Sequence, residues 1–159
     1  QAGAWQIVSL NSNVPAGEGS PQYEWLRGTL TGTRTACVAA IWHHPLVASG
    51  PNGSNPHMRD IWRLLQQTAA ELVIVGHEHQ YERFAPLDFT GRPASDGLRQ
   101  FVVGTGGAPL SSFDRSLPGS EARAATFGVL KLTLQPGSYS WEFISTTSGI
   151  SDTGTGTCR

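Results

Sequence analysis

The sequence predicts an α/β fold, a β-α-β-α-β unit followed by antiparallel strands, and three observations point to it. Short apolar runs at 5–11, 36–42 and 72–76 read as strands, with helical patterns between them. Right-handed crossovers would build that order into a largely parallel sheet. After residue 80 the helical period stops, and strand-like runs at 80–86, 99–104, 126–134 and 138–145 are joined by turn signals.

Each element has a local reason. Residues 5–11 (WQIVSLN) form a buried strand. Ser20-Pro21 opens a helix, with Ser as N-cap and Pro in the first position, where its missing N–H is no loss. Trp25, Leu26 and Leu30 are expected to supply its apolar face, and Gly32 to end it. The run 36–42 is the second strand, and Pro45 to Asn55 a surface loop rich in Gly, Ser, Asn and Pro. Asn55-Pro56 repeats the capping device, and Met58, Ile61, Trp62 and Leu65 fall on one helical stripe. Residues 72–76 make the third strand. Leu134-Gln135-Pro136-Gly137-Ser138 is a turn between two alternating runs, hence a hairpin, and 146–157 reads as a polar, irregular tail.

Composition narrows the function. The 159 residues suit a single domain, and charged residues are 14% against roughly 25% in an average soluble domain. With 19 Gly and 10 Pro this describes a loop-rich globular chain. Net charge is −1 and the ten Arg and single Lys are scattered, so no basic stripe suggests nucleic acid. No apolar run approaches the roughly 18 residues of a membrane span. A chain that opens on Gln1 and enters a strand by Trp5 is expected to be a fragment or a processed product. Cys37 and Cys158 are either two unrelated thiols or one disulfide tying the tail to the second strand. The second option would imply an oxidising compartment.

The chemistry sits at two strand ends. Leu72-Val73-Ile74-Val75-Gly76 runs into His77-Glu78-His79, and Val38-Ala39-Ala40-Ile41-Trp42 runs into His43-His44-Pro45. Strand carboxyl ends are where open α/β sheets place ligands, and imidazole suits zinc, iron, manganese and nickel. If the strand geometry continues, His77 and His79 share a face and Glu78 points away. His43 and His44 are neighbours facing different ways, so His43 is the expected ligand and His44 a packing or supporting residue. His57 is expected to be exposed, and Glu82 and Arg83 to brace the loop as a buried pair. Three histidines alone would suffice for one zinc with an open fourth position. Two-metal hydrolytic sites also need carboxylates, and no Asp or Glu here ends an apolar strand.

Gly76-His77-Glu78-His79-Gln80-Tyr81-Glu82-Arg83 resembles the GHxHxYER signature of calcineurin-like metallophosphoesterases, in their purple acid phosphatase and bacterial alkaline-phosphatase-like branch. His43-His44-Pro45 resembles the upstream histidine motif of that branch. Gln22-Tyr23-Glu24-Trp25-Leu26 and Gln100-Phe101-Val102-Val103-Gly104-Thr105-Gly106-Gly107 fit it too, so the likeness covers most of the chain. It implies a β-sandwich flanked by helices and a pair of metal ions, drawn from Fe, Zn, Mn or Mg. His43 and His77 would bind one ion and His79 the other. It also implies a phosphate ester substrate and a secreted or periplasmic location.

The family's Asp-x-His, Gly-Asp and Gly-Asn-His elements do not occur here. The resemblance therefore implies that residues 1–159 are the carboxyl-terminal half of such a domain, supplying the histidine part of the site. An amino-terminal half or a second copy would cover the exposed face. Asn52 stands where many relatives carry a histidine that meets the phosphate, and His57 comes five residues later. Asn52 and His44 are thus the expected substrate contacts, although Asn can donate a hydrogen bond but cannot act as a general acid. The competing expectation is a non-catalytic truncated sandwich that binds metal or a partner.

Overall fold

The computed structural model describes residues 3–32, 35, 37–68 and 70–159. In chain order the elements are β1 (Trp5–Ser9), α1 (Pro21–Thr31), β2 (Cys37–Ile41), α2 (Arg59–Gln67), β3 (Leu72–Val75), β4 (Tyr81–Leu87) and β5 (Leu98–Val103). Then follow β6 (Ser120–Ala124), β7 (Gly128–Gln135), β8 (Ser138–Ser145) and β9 (Ser151–Thr157). Residue 36, expected to begin the second strand, lies outside the described residues.

Both helices start as their sequences require. Ser20 accepts a hydrogen bond from the Tyr23 amide at 3.3 Å and Pro21 follows it. Asn55 accepts from the His57 amide at 3.0 Å, and a 3-10 turn over Pro56–Met58 leads into α2. Met58, Ile61, Trp62 and Leu65 are all buried, as one stripe should be. Trp25 departs from expectation and is 53% exposed. Leu26 and Leu30, four residues apart, define the buried stripe of α1, and Trp25 is rotated about 100° from Leu26.

The larger sheet runs β1-β2-β3-β5-β4-β6. Its first four strands in that order are mutually parallel, while β4 pairs antiparallel with both β5 and β6. The second half is therefore not purely antiparallel. On leaving β3 the chain skips one strand width to form β4, and β5 returns to fill the gap parallel to β3. One face packs Val8, Val38, Ala40 and Val73 against Leu26, Leu30, Ile61 and Trp62 of the helices. The other face packs Trp5, Ala39, Leu72, Tyr81 and Phe101 against Tyr139, Trp141 and Phe143 of the small sheet β7-β8-β9. The alternation of Trp5 and Val8 between faces follows from the period of two along a strand. The result is the sandwich with flanking helices that the family resemblance implied.

The tail is not irregular. Residues 151–157 (SDTGTGT) form β9, because Gly154 and Gly156 leave room for the aromatic rings of β8. A Cβ would stand 2.2 Å from a Trp141 ring atom at Gly154, and 2.3 Å from a Tyr139 ring atom at Gly156. Thr153, Thr155 and Thr157 take the exposed face.

The expected Glu82–Arg83 pair is also absent, since consecutive strand residues face opposite ways. Glu82 lies buried and accepts from the Ser49 amide at 2.9 Å, Ser49 Oγ at 2.6 Å and Ser120 Oγ at 2.6 Å. Arg83 reaches the second sheet. Its Nε donates to Asp152 at 2.7 Å, beside donors from Tyr81 Oη at 2.6 Å and Trp141 Nε1 at 3.1 Å. Burial alone would raise the Asp152 carboxyl, but these donors and the Arg83 charge hold it below its ordinary value. Burial, with Asp152 second, pushes the Tyr81 phenol upward, so it stays protonated.

Cys37 and Cys158 are disulfide-bonded with Cα atoms 5.5 Å apart, tying the end of β9 to β2. Arg159 then donates its backbone N–H to the buried Glu71 carboxylate at 2.6 Å. Four strands, β1 and β6 of the larger sheet and β7 and β9 of the smaller, end their sheets with an open side among the described residues. Near these edges Ile7 and Ile41 are each 41% exposed, and an apolar trough runs between Ile41, Ile74 and Val103 on one side and Leu130 and Leu132 on the other.

Candidate metal centre

Parallel pairing of β2 with β3 fixes the first half of the site. The register sets Ile41 beside Ile74, and it continues past the strand ends: the Trp42 amide donates to Ile74 O at 3.2 Å and the Gly76 amide to His43 O at 3.0 Å. His43 is thereby carried to the start of the Gly76–His79 turn. A Cβ on Gly76 would lie 3.6 Å from His43 Nδ1, so the ring rests on bare backbone. His43 Nε2 and His77 Nδ1 come within 3.1 Å. Two donors on one tetrahedral zinc at about 2.0–2.1 Å are separated by about 3.4 Å, so this pair is close to ligand spacing already.

The turn does not continue the strand. His77 is the sole non-glycine with positive φ among the described residues, at 66°. The Glu78 amide donates back to Gly76 O at 2.8 Å, and the Gln80 amide to Glu78 O at 2.8 Å. These are two successive γ-turns, and the first has the less favourable hand, with its central residue at positive φ. Such backbone costs about 1–3 kcal/mol and persists where surrounding contacts impose it. Here those contacts are identifiable. Glu78 is fully buried and accepts from the Gly53 amide at 2.7 Å and Asn52 Nδ2 at 3.4 Å. It does point away from the rings, as expected, and it anchors the loop after His44. Gly50 and Gly104 close on the turn from either side: a Cβ would stand 2.2 Å from Glu78 Oε2 at Gly50, and 2.1 Å from Glu78 O at Gly104. Gly104→Ala is expected to cost about 2 kcal/mol of stability, because backbone must move. A thermal melt measures that loss, and zinc titration should show weakened uptake in the same variant.

His79 is held separately. Its Nδ1 lies 2.9 Å from Pro109 O, a group that only accepts, so Nδ1 carries the proton and Nε2 keeps its lone pair. Metal-binding histidines commonly have their second nitrogen fixed in this way. The backbone is pinned too, with the Ser111 amide donating to His79 O at 3.0 Å.

Among the described residues, His43, His44 and His77 form the cluster of ligand-type side chains, their donor atoms all within 4.8 Å of one another. His44, expected as a packing or supporting residue beside the ligands, has its ring 4.5 Å from that of His77. Its Nδ1 is 2.8 Å from Ser12 Oγ, which also accepts from the His44 amide at 3.2 Å. His79 is outside the cluster. Asn52 is exposed and its amide is turned to Glu78; His57 is exposed with Nε2 2.8 Å from Val14 O. Sequence reading missed Ser12, Gly50 and the Pro109 carbonyl, which act through backbone and packing that no motif marks. No carboxylate joins the cluster among the described residues. The donor set fits a metal ion as a neutral, incomplete ligand group.

Electrostatics agree with a site built for neutral imidazoles. The His77 pKa is lowered by burial, then by the nearby His43 and His79. His44 is lowered by burial, then by His77, His43 and His57. A lowered folded-state value means these rings bind protons less readily than in the unfolded chain. The stability they contribute is complete above the ordinary value of 6.5 and is lost as pH falls through the lowered values. The metal-free chain should therefore show a urea midpoint that declines in mildly acid solution, with zinc uptake failing over the same window. A His44→Gln, His77→Gln double variant should flatten that dependence.

Comparisons with known proteins now bear on this geometry. No protein-family model matches the chain. It is 29% identical over 131 residues to purple acid phosphatase 21 of Arabidopsis thaliana, covering 76% of this chain. It superposes on the purple acid phosphatase PPD1 of yellow lupin seeds with a TM-score of 0.84 and 22% identity over 96% of its length. The chain has the purple acid phosphatase fold. It spans 30% of the Arabidopsis protein and 31% of the lupin chain. GAP50, the anchor in the inner membrane complex of Plasmodium, shares the fold at a TM-score of 0.75 and 14% identity, with 98% of this chain and 50% of that one covered. Among the described residues no helix is long and apolar enough to cross a membrane.

Proposed function

We propose that this chain supplies the histidine part of a binuclear metallophosphoesterase site acting on phosphate mono- or diesters. The observation that carries this reading is the 3.1 Å approach of His43 Nε2 to His77 Nδ1, with His79 Nε2 left free by the Pro109 carbonyl. His43 and His77 would hold one ion and His79 the other. Bound cations such as Fe, Zn, Mn or Mg supply Lewis acidity and charge against the phosphate. The protein's own part is to favour the neutral form of His77, fix the tautomer of His79 and orient the loop bearing Asn52. Asn52 would donate a hydrogen bond to a phosphate oxygen, and His44, set by Ser12, would face the substrate from the other side.

Carboxylates must come from outside the described residues. An amino-terminal segment would bring them, adding strands to the open edges of β1 and β7 and covering Ile7, Ile41 and the trough beside them. The disulfide supports a secreted or periplasmic setting. A second reading, a non-catalytic module that binds metal or a partner, draws on the absence of any carboxylate from the cluster among the described residues and on the anchor role that GAP50 has in Plasmodium.

The deciding experiment measures zinc content, light scattering and p-nitrophenyl phosphate turnover for the chain alone and mixed with a candidate amino-terminal half. The proposal expects substoichiometric zinc and no turnover alone, and turnover on mixing. Complementation that binds both pieces yet yields no turnover would favour the module. Turnover by the chain alone, with two metals bound, would show that no outside carboxylate is needed.

A further inference from the structure

The loop from Pro45 to Asn55 carries the pair Asn52-Gly53, and one buried carboxylate holds both residues. Glu78 Oε1 accepts from the Gly53 amide at 2.7 Å, and Oε2 from Asn52 Nδ2 at 3.4 Å. The Gly53 amide is shared with Gly50 O at 3.1 Å. Glu78 is fully buried, and no cation pairs with it among the described residues. Asn52 is exposed, so water reaches its side-chain amide. Gly53 has a φ of 71°, which favours glycine, and its lack of a side chain leaves the nitrogen unhindered.

An asparagine side chain and the next backbone nitrogen can close into a cyclic imide. Closure needs a side-chain carbonyl able to turn toward that nitrogen, an unhindered N–H, and a carrier for its proton. The other asparagines fail one or more of these conditions. Asn11 Oδ1 accepts from the Asn13 amide at 2.9 Å, and Asn55 Oδ1 from the His57 amide at 3.0 Å, so each carbonyl is turned to the residue two places on. Pro56, after Asn55, has no N–H, and Val14, after Asn13, crowds its nitrogen with a β-branched side chain. The Asn52 carbonyl accepts from no group among the described residues, and its amide nitrogen already lies beside Glu78.

We infer that Asn52-Gly53 is a self-modification site, where Asn52 closes onto the Gly53 nitrogen and opens in water to aspartate or isoaspartate, with Glu78 carrying the proton. The Gly53 nitrogen bonds to Asn52 Cγ as its proton passes to the carboxylate. The Cγ–Nδ2 bond then breaks, and the carboxyl hands a proton to the departing nitrogen, which leaves as ammonia. Water adds to either carbonyl of the imide and cleaves that carbonyl's bond to nitrogen. One opening restores the peptide with aspartate at position 52, and the other reroutes it through the side chain as isoaspartate. These steps need only this chain and water. The new carboxylate faces Glu78 where a donor stood, so like charges part the loop from the histidine turn.

The test incubates the purified chain at neutral pH and scores amide-to-acid conversion at each asparagine by mass spectrometry of its peptides. Folded protein is compared with reduced protein unfolded in guanidinium chloride. Conversion is expected at Asn52, with ammonia released in equal amount. It should be at least about tenfold faster in the folded protein, since positioned proton transfer contributes roughly 100-fold or more and the restrained loop takes back part of that. Asn52→Gln should stop it, because the longer side chain closes the ring poorly. Glu78→Gln should lower the folded rate to the unfolded one, and the folded-to-unfolded ratio of the unmodified chain tests the same role without altering a buried residue. An Asn52 that stays intact, or that converts no faster folded than unfolded, overturns the inference. Equal conversion at Asn11 and Asn13 does so too.

Discussion

Reduction of the Cys37–Cys158 bond is expected to destabilise the protein by about 5 kcal/mol. The bond closes a loop with a sequence separation of 121, and the chain-entropy relation gives about 5 kcal/mol for a loop of that length at 25 °C. Domains of this size are stable by about 5–15 kcal/mol in total, so the loss is a large share. The effect is compounded locally. Cys37 is fully buried in β2, and the bond positions Arg159 over Glu71 and holds β9, whose glycines cradle Trp141 and Tyr139. A Cys37→Ser, Cys158→Ser double variant should show the same shift in urea midpoint as the reduced protein. A midpoint unmoved by reductant would mean that the β8–β9 pairing suffices to hold the tail.

His77→Ala is expected to weaken zinc binding by about 100-fold or more, beyond the 10–100-fold typical of supporting residues. His77 is the ring that approaches His43 at 3.1 Å and stands 4.5 Å from His44, so its removal leaves only His43 and His44 of the cluster. Alanine at this positive-φ position keeps the backbone strain of the histidine, which glycine does not suffer. His77→Gly should therefore be as defective in metal binding as His77→Ala yet more stable, by roughly 1 kcal/mol. Competition against a chromophoric chelator gives the affinity, and a denaturant melt gives the stability. Unchanged zinc affinity in His77→Ala would remove the basis for a centre at this turn.

The parts of the fold that were legible in sequence are those where side chains report directly on backbone. Ser20-Pro21 and Asn55-Pro56 marked both helix starts, and the runs before His43 and Gly76 marked the two central strands. The purple acid phosphatase-like resemblance and the sandwich were both readable from these and from the Gly76–Arg83 motif. What escaped was decided by contacts distant in sequence. β9 carries no apolar residue and exists because Gly154 and Gly156 fit beneath rings on β8; the only local hint was the Thr-Gly alternation. Arg83 found Asp152 across the sandwich because strand alternation turned Glu82 the other way. In the centre, strand alternation would have put His77 and His79 on one face by default. Instead two γ-turns wedged between Gly50 and Gly104 aim them, and the close neighbour of His77 beyond His43 is His44.

Because the sulfur bridge spans positions 37 to 158, every peptide bond between them belongs to one covalent circle. The segments bearing His43, Asn52, His77 and His79 all lie on that circle. A protease that cuts once in an exposed loop on that circle, such as the one bearing Asn52, yields pieces that migrate together on a gel until thiol is added. Such a cut opens the circle into a line whose two parts stay joined through sulfur, so apparent intactness without reductant says nothing about whether the backbone is whole.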